Sequence, residues 1–173
     1  MMGKYFLSML LCRKGSAAVE MALVTPLLIT LMFGSFELGN YFMDNHVVAK
    51  AVRDGARFAA RQSFASYPAC SGSPNDPALT QIKNVVRTGQ VGSGGSARLP
   101  GWTDPSTISV TVSCNTTGNG GAAFSGIYNG MASGAPVVTV SADVPYTSLF
   151  STVGFSSASL TLHGTSQAAV MGI

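Results

Sequence analysis

Apolar and polar positions are unevenly distributed along this chain. Residues 21–36 carry no charge at all, and small or apolar residues extend that run back to Ala17 and forward to Met43 across the two carboxylates Glu20 and Glu37. A bilayer is crossed by about 20 helical residues, so the run is long enough to be a membrane span. Beyond it, "NHVVAKAVRDGARFAARQ" keeps a helical period, with Val48, Val52, Gly55 and Ala59 on one narrow, small-residue face. Arg53, Arg57 and Arg61 fall on another face at i, i+4 and i+8, read as a solvated stripe in preference to an anionic-lipid contact, and Lys50 and Asp54 are placed for an i, i+4 pair. One helix over residues 16–62 is therefore predicted, about 70 Å long at 1.5 Å per residue. Such a helix needs neighbours along its length.

The period then changes. "SYPACSGSPNDP" breaks the helix with three prolines and turn formers. Asp76 is placed to cap a second helix with Pro77 at its first position, and "ALTQIKNVVRTG" carries the apolar face Leu79, Ile82, Val85 and Val86 before Gly89 ends it. "GQVGSGGSARLPG" is a glycine-rich loop without the GK[ST] ending of a phosphate cradle, so a nucleotide site is not expected. Residues 107–114 and 136–144 alternate apolar with Ser or Thr, and 157–170 do so more weakly. Alternation of that kind predicts an antiparallel sheet with one buried face. The insert 115–134 is too long for a tight hairpin and reads as a mobile or binding loop. The expected fold class is α+β: a long N-terminal transmembrane helix, a short helix, and a small antiparallel sheet of about three strands with long Gly/Ser-rich loops.

Charge adds orientation. The formal net charge is +3, but Lys4, Arg13 and Lys14 all precede the apolar run, leaving seven cations against seven acids in the remainder. A neutral remainder argues against nucleic-acid binding, which wants a basic patch interleaved with base-stacking aromatics. Cations concentrated before the run predict a cytoplasmic N-terminus and an outer C-terminal domain. A cleavable secretory signal is the competitor, since "YFLSMLL" is a short apolar core after a lysine. Arg13 and Lys14 follow it where a small, uncharged cleavage region belongs, so a signal anchor starting near Ser16 is the better reading. The expected organisation is a leader over 1–15, the membrane and extended helix over 16–62, and an outer α+β domain over 63–173.

Glu20 is the anomaly in this scheme. It is either a carboxylate at the cytoplasmic interface, solvated or paired with Arg13 or Lys14, or an ionisable group kept inside the membrane because it needs a cationic partner there. "KGSAAVEMALVTPLL", "FGSFELGNYF" and "AVRDGARFAARQ" together resemble the TadE-like minor pilins (pseudopilins) of the tight-adherence, Flp-type pilus system, a branch of the type IV pilus superfamily. The match runs over residues 13–62, with the remainder alike only in layout. The resemblance implies a prepilin peptidase that cuts between Gly15 and Ser16, leaving Glu20 as the fifth residue of the mature chain. It further implies that Glu20 pairs with the new α-amine of a neighbouring subunit, which would make it a register key. Met21 departs from the pattern, in which an aromatic residue commonly follows the glutamate. The chain is also far longer than the very small major subunit, which favours a minor or priming role. The partners implied are the peptidase, other minor pilins, the major Flp pilin and the inner-membrane assembly platform, and the processes are pilus assembly, adhesion and biofilm formation.

Pro26 removes one backbone hydrogen bond from the apolar helix. It reads equally as an ordinary membrane-helix proline or as a kink that lets the helix change shape between bilayer and filament. Of the three cysteines, Cys12 lies in the leader, whereas Cys70 and Cys114 lie beyond the membrane in an oxidising compartment, where a disulfide is the natural reading. His46 and His163 sit on different elements with no ligand-spaced grouping, and Asp143 with His163 and one of many serines makes a triad only on paper. No cofactor, metal or catalytic activity is expected. The competing function is an unprocessed single-pass membrane protein whose outer domain binds a ligand or stabilises an envelope complex.

Overall fold

The computed structural model describes residues 15–68, 70–117, 124–131, 133–151, 154, 157 and 159–172. The leader up to Lys14, with Cys12 and Arg13, and part of the 115–134 insert lie outside the described residues. The elements run α1 (Ser16–Ala60), α2 (Ala78–Thr88), β1 (Ile108–Asn115), β2 (Ala135–Pro145) and β3 (Thr161–Ala169), with short 3-10 turns at Phe64–Ser66, Pro105–Thr107 and Gly126–Tyr128. This is the α+β arrangement expected. The chain divides into two compact units, Met1–Gly39 and Asn40–Ile173, and α1 contributes to both.

In the first unit α1 is apolar on all sides and largely exposed among the described residues. Val19, Leu23, Leu27 and Leu31 are each at least 60% exposed. A helix that is hydrophobic all round belongs either in a protein core or in lipid.

The second unit is built on a three-stranded antiparallel sheet in the order β1-β2-β3. Alternation sets its two faces. Val110, Val112, Val138, Val140, Ala142 and Leu162 point inward and are buried, whereas Thr111, Asp143, His163 and Thr165 lie on the other face. The inner face packs against the second part of α1 and against α2. Val48, Val52 and Ala59 of α1 are fully buried, and Arg53, Arg57 and Arg61 are exposed, as the helical spacing predicts. Two glycines permit the close approach. A methyl group on Gly55 would lie 2.3 Å from Val86 of α2, and one on Gly164 of β3 would lie 3.1 Å from Val48. Glycine at these points lets α1 press against α2 at the first and against β3 at the second.

The termini differ slightly from expectation. α1 ends at Ala60, because the N–H groups of Arg61 and Gln62 bond to the carbonyls of Phe58 and Ala59 in a tightened last turn. α2 begins at Ala78, with Pro77 just outside it, and Asp76 caps it by accepting from the Thr80 N–H at 3.3 Å and the Thr80 hydroxyl at 2.7 Å. Ile82, Val85 and Val86 form its buried face. One expected contact is replaced. Asp54 pairs with Arg98, 2.9 Å away on the loop after α2, and not with Lys50. The tertiary partner brings a guanidinium fork to a half-buried carboxylate, which an exposed lysine one turn away cannot match.

Candidate functional site

The residues singled out by the sequence fall into two groups. Gly15, Ser16, Glu20 and Pro26 lie together at the start of α1, and Cys70 and Cys114 lie in the second unit. Gly15 immediately precedes the helix and is exposed, as are Ala17, Ala18, Val19 and Glu20. The Gly15–Ser16 peptide bond is thus at a helix threshold. Ser16 is the first residue of α1 and Glu20 the fifth, which puts them four residues apart on one helical face, about 6 Å along the axis.

Further along, α1 is assigned as continuous helix through Pro26. Proline deprives the Ala22 carbonyl of its usual donor. The hydroxyls of this stretch turn onto the helix's own backbone: Thr25 Oγ1 donates to Met21 O at 2.6 Å, Thr30 Oγ1 to Pro26 O at 2.8 Å and Ser35 Oγ to Met32 O at 2.8 Å. Each of these three hydroxyls, costly if unpaired in hydrocarbon, is thereby satisfied by the helix backbone. The window of highest mean hydropathy in α1 reaches 1.8 and has none of its residues buried. Among the described residues this is the one helix long and apolar enough to cross a membrane, which supports a single-pass anchor.

Cys70 and Cys114 form a disulfide, with their Cα atoms 5.0 Å apart and a sequence separation of 44. It fastens the segment after α1 to the end of β1. Beside it lies an open cleft of about 200 Å³ lined by Phe64, Tyr67, Pro68, Met131 and Pro136. Tyr67 is its one titratable lining group outside the disulfide. Its hydroxyl donates to the Ala59 carbonyl at 2.7 Å, and burial pushes its pKa up to about 12.

Two arrangements go beyond the sequence reading, the first joining Asp143 and His163, which the sequence grouped only on paper. The β2–β3 register places Asp143 opposite His163, and His163 Nδ1 lies 2.7 Å from Asp143 Oδ1 on the exposed sheet face. Among the described residues no hydroxyl is hydrogen-bonded to the ring's other nitrogen. No group of three or more potential metal ligands occurs among the described residues. The second arrangement is at the start of the second unit, where Asn40 Nδ2 donates to the Tyr146 hydroxyl at 3.0 Å and Tyr41 meets the Tyr146 ring edge-on. Strand pairing brings the first pair together and the approach of α1 to the segment after β2 the second, and no local spacing signals either.

Comparison with known proteins finds no match among curated proteins or solved structures. Residues 15–57, which begin at the glycine before α1 and run into the half of the helix that packs on the sheet, match the family model described as TadE-like protein. The chain therefore carries a TadE-like N-terminal segment, the pattern of a family of Tad-pilus-associated proteins.

Proposed function

We propose that this protein is a minor pilin, or pseudopilin, of a tight-adherence, Flp-type pilus. A prepilin peptidase cuts it on the cytoplasmic side between Gly15 and Ser16, and α1 then anchors it in the inner membrane with its C-terminal domain outside. From there it joins or primes the pilus with other minor pilins, the major Flp pilin and the assembly platform, in the service of adhesion and biofilm formation. The observation that carries this reading is the family match beginning at Gly15, directly before an uncovered apolar helix.

The chemistry of Glu20 fits the reading. Cleavage creates a cation at Ser16, one helical turn before Glu20. In a bundle of such helices the amine of one chain meets the carboxylate of another. Opposite charges withdrawn from water together cost far less than either alone, and a slipped register would strand both. Pro26, one and a half turns further on, loosens the helix where it passes from lipid into the bundle.

Mass spectrometry of the mature chain, co-expressed with its peptidase, tests the proposal. A chain starting at Ser16 is expected, and one retaining Met1 overturns processing in favour of an uncut membrane protein. Glu20→Gln should insert and be cut yet yield no pili. Normal piliation by that variant would reduce Glu20 to an interfacial charge.

A further inference from the structure

The two edges of the sheet are unequal. At the β1 edge the Val112 N–H donates to the Gly72 carbonyl at 2.8 Å, and the Cys70–Cys114 bond holds that segment against the strand. The β3 edge has no such cover along its middle. In antiparallel pairing, residues bonded to the neighbouring strand alternate with residues whose N–H and C=O point away. The Val170 N–H bonds to Pro136 O at 2.9 Å and the Tyr146 N–H to Leu160 O at 3.0 Å, so the even-numbered positions of β3 face β2. Thr161, His163, Thr165, Gln167 and Ala169 turn their backbone groups outward. Both ends of this edge are occupied: Tyr41 Oη donates to Thr161 O at 3.4 Å, and the Met171 N–H donates to Ala60 O at 2.7 Å. Between them, the outward backbone groups of His163, Thr165, Gln167 and Ala169 have no partner among the described residues. The strand also lacks the lysines, prolines and bulges that normally blunt an edge.

A charged wall runs beside this open edge. α1 follows β3 from Tyr41, near Thr161, to Ala60, near Met171, and passes closest at Gly164, where a methyl group would lie 3.5 Å from Ala49 Cα. At 100° per residue, the order around α1 starts at Gly55, which faces Val140 of β2. It passes through Val52 and Ala49, which face β3, and continues to Arg53 and then Arg57. Both arginines are exposed and have no acidic partner among the described residues.

We propose that the outer edge of β3 and the Arg53–Arg57 wall together form a docking groove for an extended, acidic segment of a partner protein, which adds to the sheet as a fourth strand. The backbone groups of His163, Thr165, Gln167 and Ala169 supply the ladder, and acidic side chains on the helix-facing side of the added strand meet the arginines. A second copy of this chain is disfavoured as occupant, because β3 contains no acid and a two-fold pairing of β3 with itself would bring the two arginine walls together. The groove lies outside the membrane helix and does not depend on processing at Gly15.

The test uses the full chain in detergent and a fluorescent nine-residue peptide of alternating Thr and Glu, read by anisotropy. Saturable binding is expected, weakened at least about tenfold by Arg53→Glu with Arg57→Glu, and to a similar degree when Lys replaces Glu in the peptide. Thr165→Pro removes an outward N–H that β2 does not use, so it should abolish binding while thermal unfolding stays unchanged. A peptide N-methylated at alternate residues separates strand addition from charge attraction and should fail to bind. Binding that survives both N-methylation and Thr165→Pro overturns the groove, as does no saturable binding of the Thr–Glu peptide. Should Thr165→Pro disturb folding, the N-methylated peptide alone decides.

Discussion

The first and second halves of α1 share one backbone and differ in what surrounds them. Before Asn40 the helix shows Leu23 at 75% exposure and Met21 at 67%, with bulky apolar residues on every side. After it, Val48, Val52 and Ala59 are at 0%, the buried positions are Val, Ala or Gly, and the outer face is basic. The contrast shows that one helix is specified for two solvents. In the second half, small residues on one face allow a sheet to approach within a glycine's breadth, and that contact replaces water. In the first half, no intramolecular partner is provided, so the stabilising contacts must come from lipid or from other helices.

The sharpest way to break this comparison is to damage one half and read both. Replacing Cys70 and Cys114 by Ser opens a 44-residue link. It should cost the second unit about 4 kcal/mol in the chain-entropy account, seen as a lower urea midpoint, while membrane insertion of the first half is unaffected. The reciprocal change is Leu28→Arg on the exposed apolar half, which should cost about 3 kcal/mol of insertion free energy in a translocation assay and leave the urea midpoint of the outer unit unmoved.

A pH titration sharpens the contrast without touching the helix. Because burial raises the Tyr67 pKa from 10.0 in the unfolded chain to about 12, its stabilising contribution is complete below pH 10 and is lost as pH climbs through about 12. The loss should amount to about 2–3 kcal/mol, and Tyr67→Phe should abolish that part of the alkaline slope. The smallest effect is at Gly55. Gly55→Ala improves helix propensity yet must displace Val86, so a net destabilisation of about 1–2 kcal/mol is expected by thermal unfolding. A stabilising result would show that the α1–α2 contact yields easily.

Local chemistry was readable in the sequence, and partners at a distance were less so. The face made by Val48, Val52, Gly55 and Ala59 announces itself by period, but nothing local reveals that it packs on this chain's own sheet. Asp54 shows the same limit: Lys50 is the neighbour four residues away, whereas the true partner, Arg98, is 44 residues distant and arrives only when the loop after α2 folds back. The Asp143–His163 pair depends on strand register, which the alternation of 136–144 and 157–170 predicts in face but not in alignment. Cys70 and Cys114 were legible for a simpler reason, being the two cysteines left beyond the membrane run. The TadE-like stretch that begins at Gly15 was legible because its pattern is local.

The two unequal edges bear on how strands can add to this sheet. The disulfide-held segment lies against β1 through the Val112–Gly72 bond, whereas the middle of β3 is uncovered among the described residues, so β3 is the readier side for an added strand. Head-to-tail growth by strand addition needs two open and complementary edges. Unequal edges therefore favour a single attachment at the sheet over a repeating one.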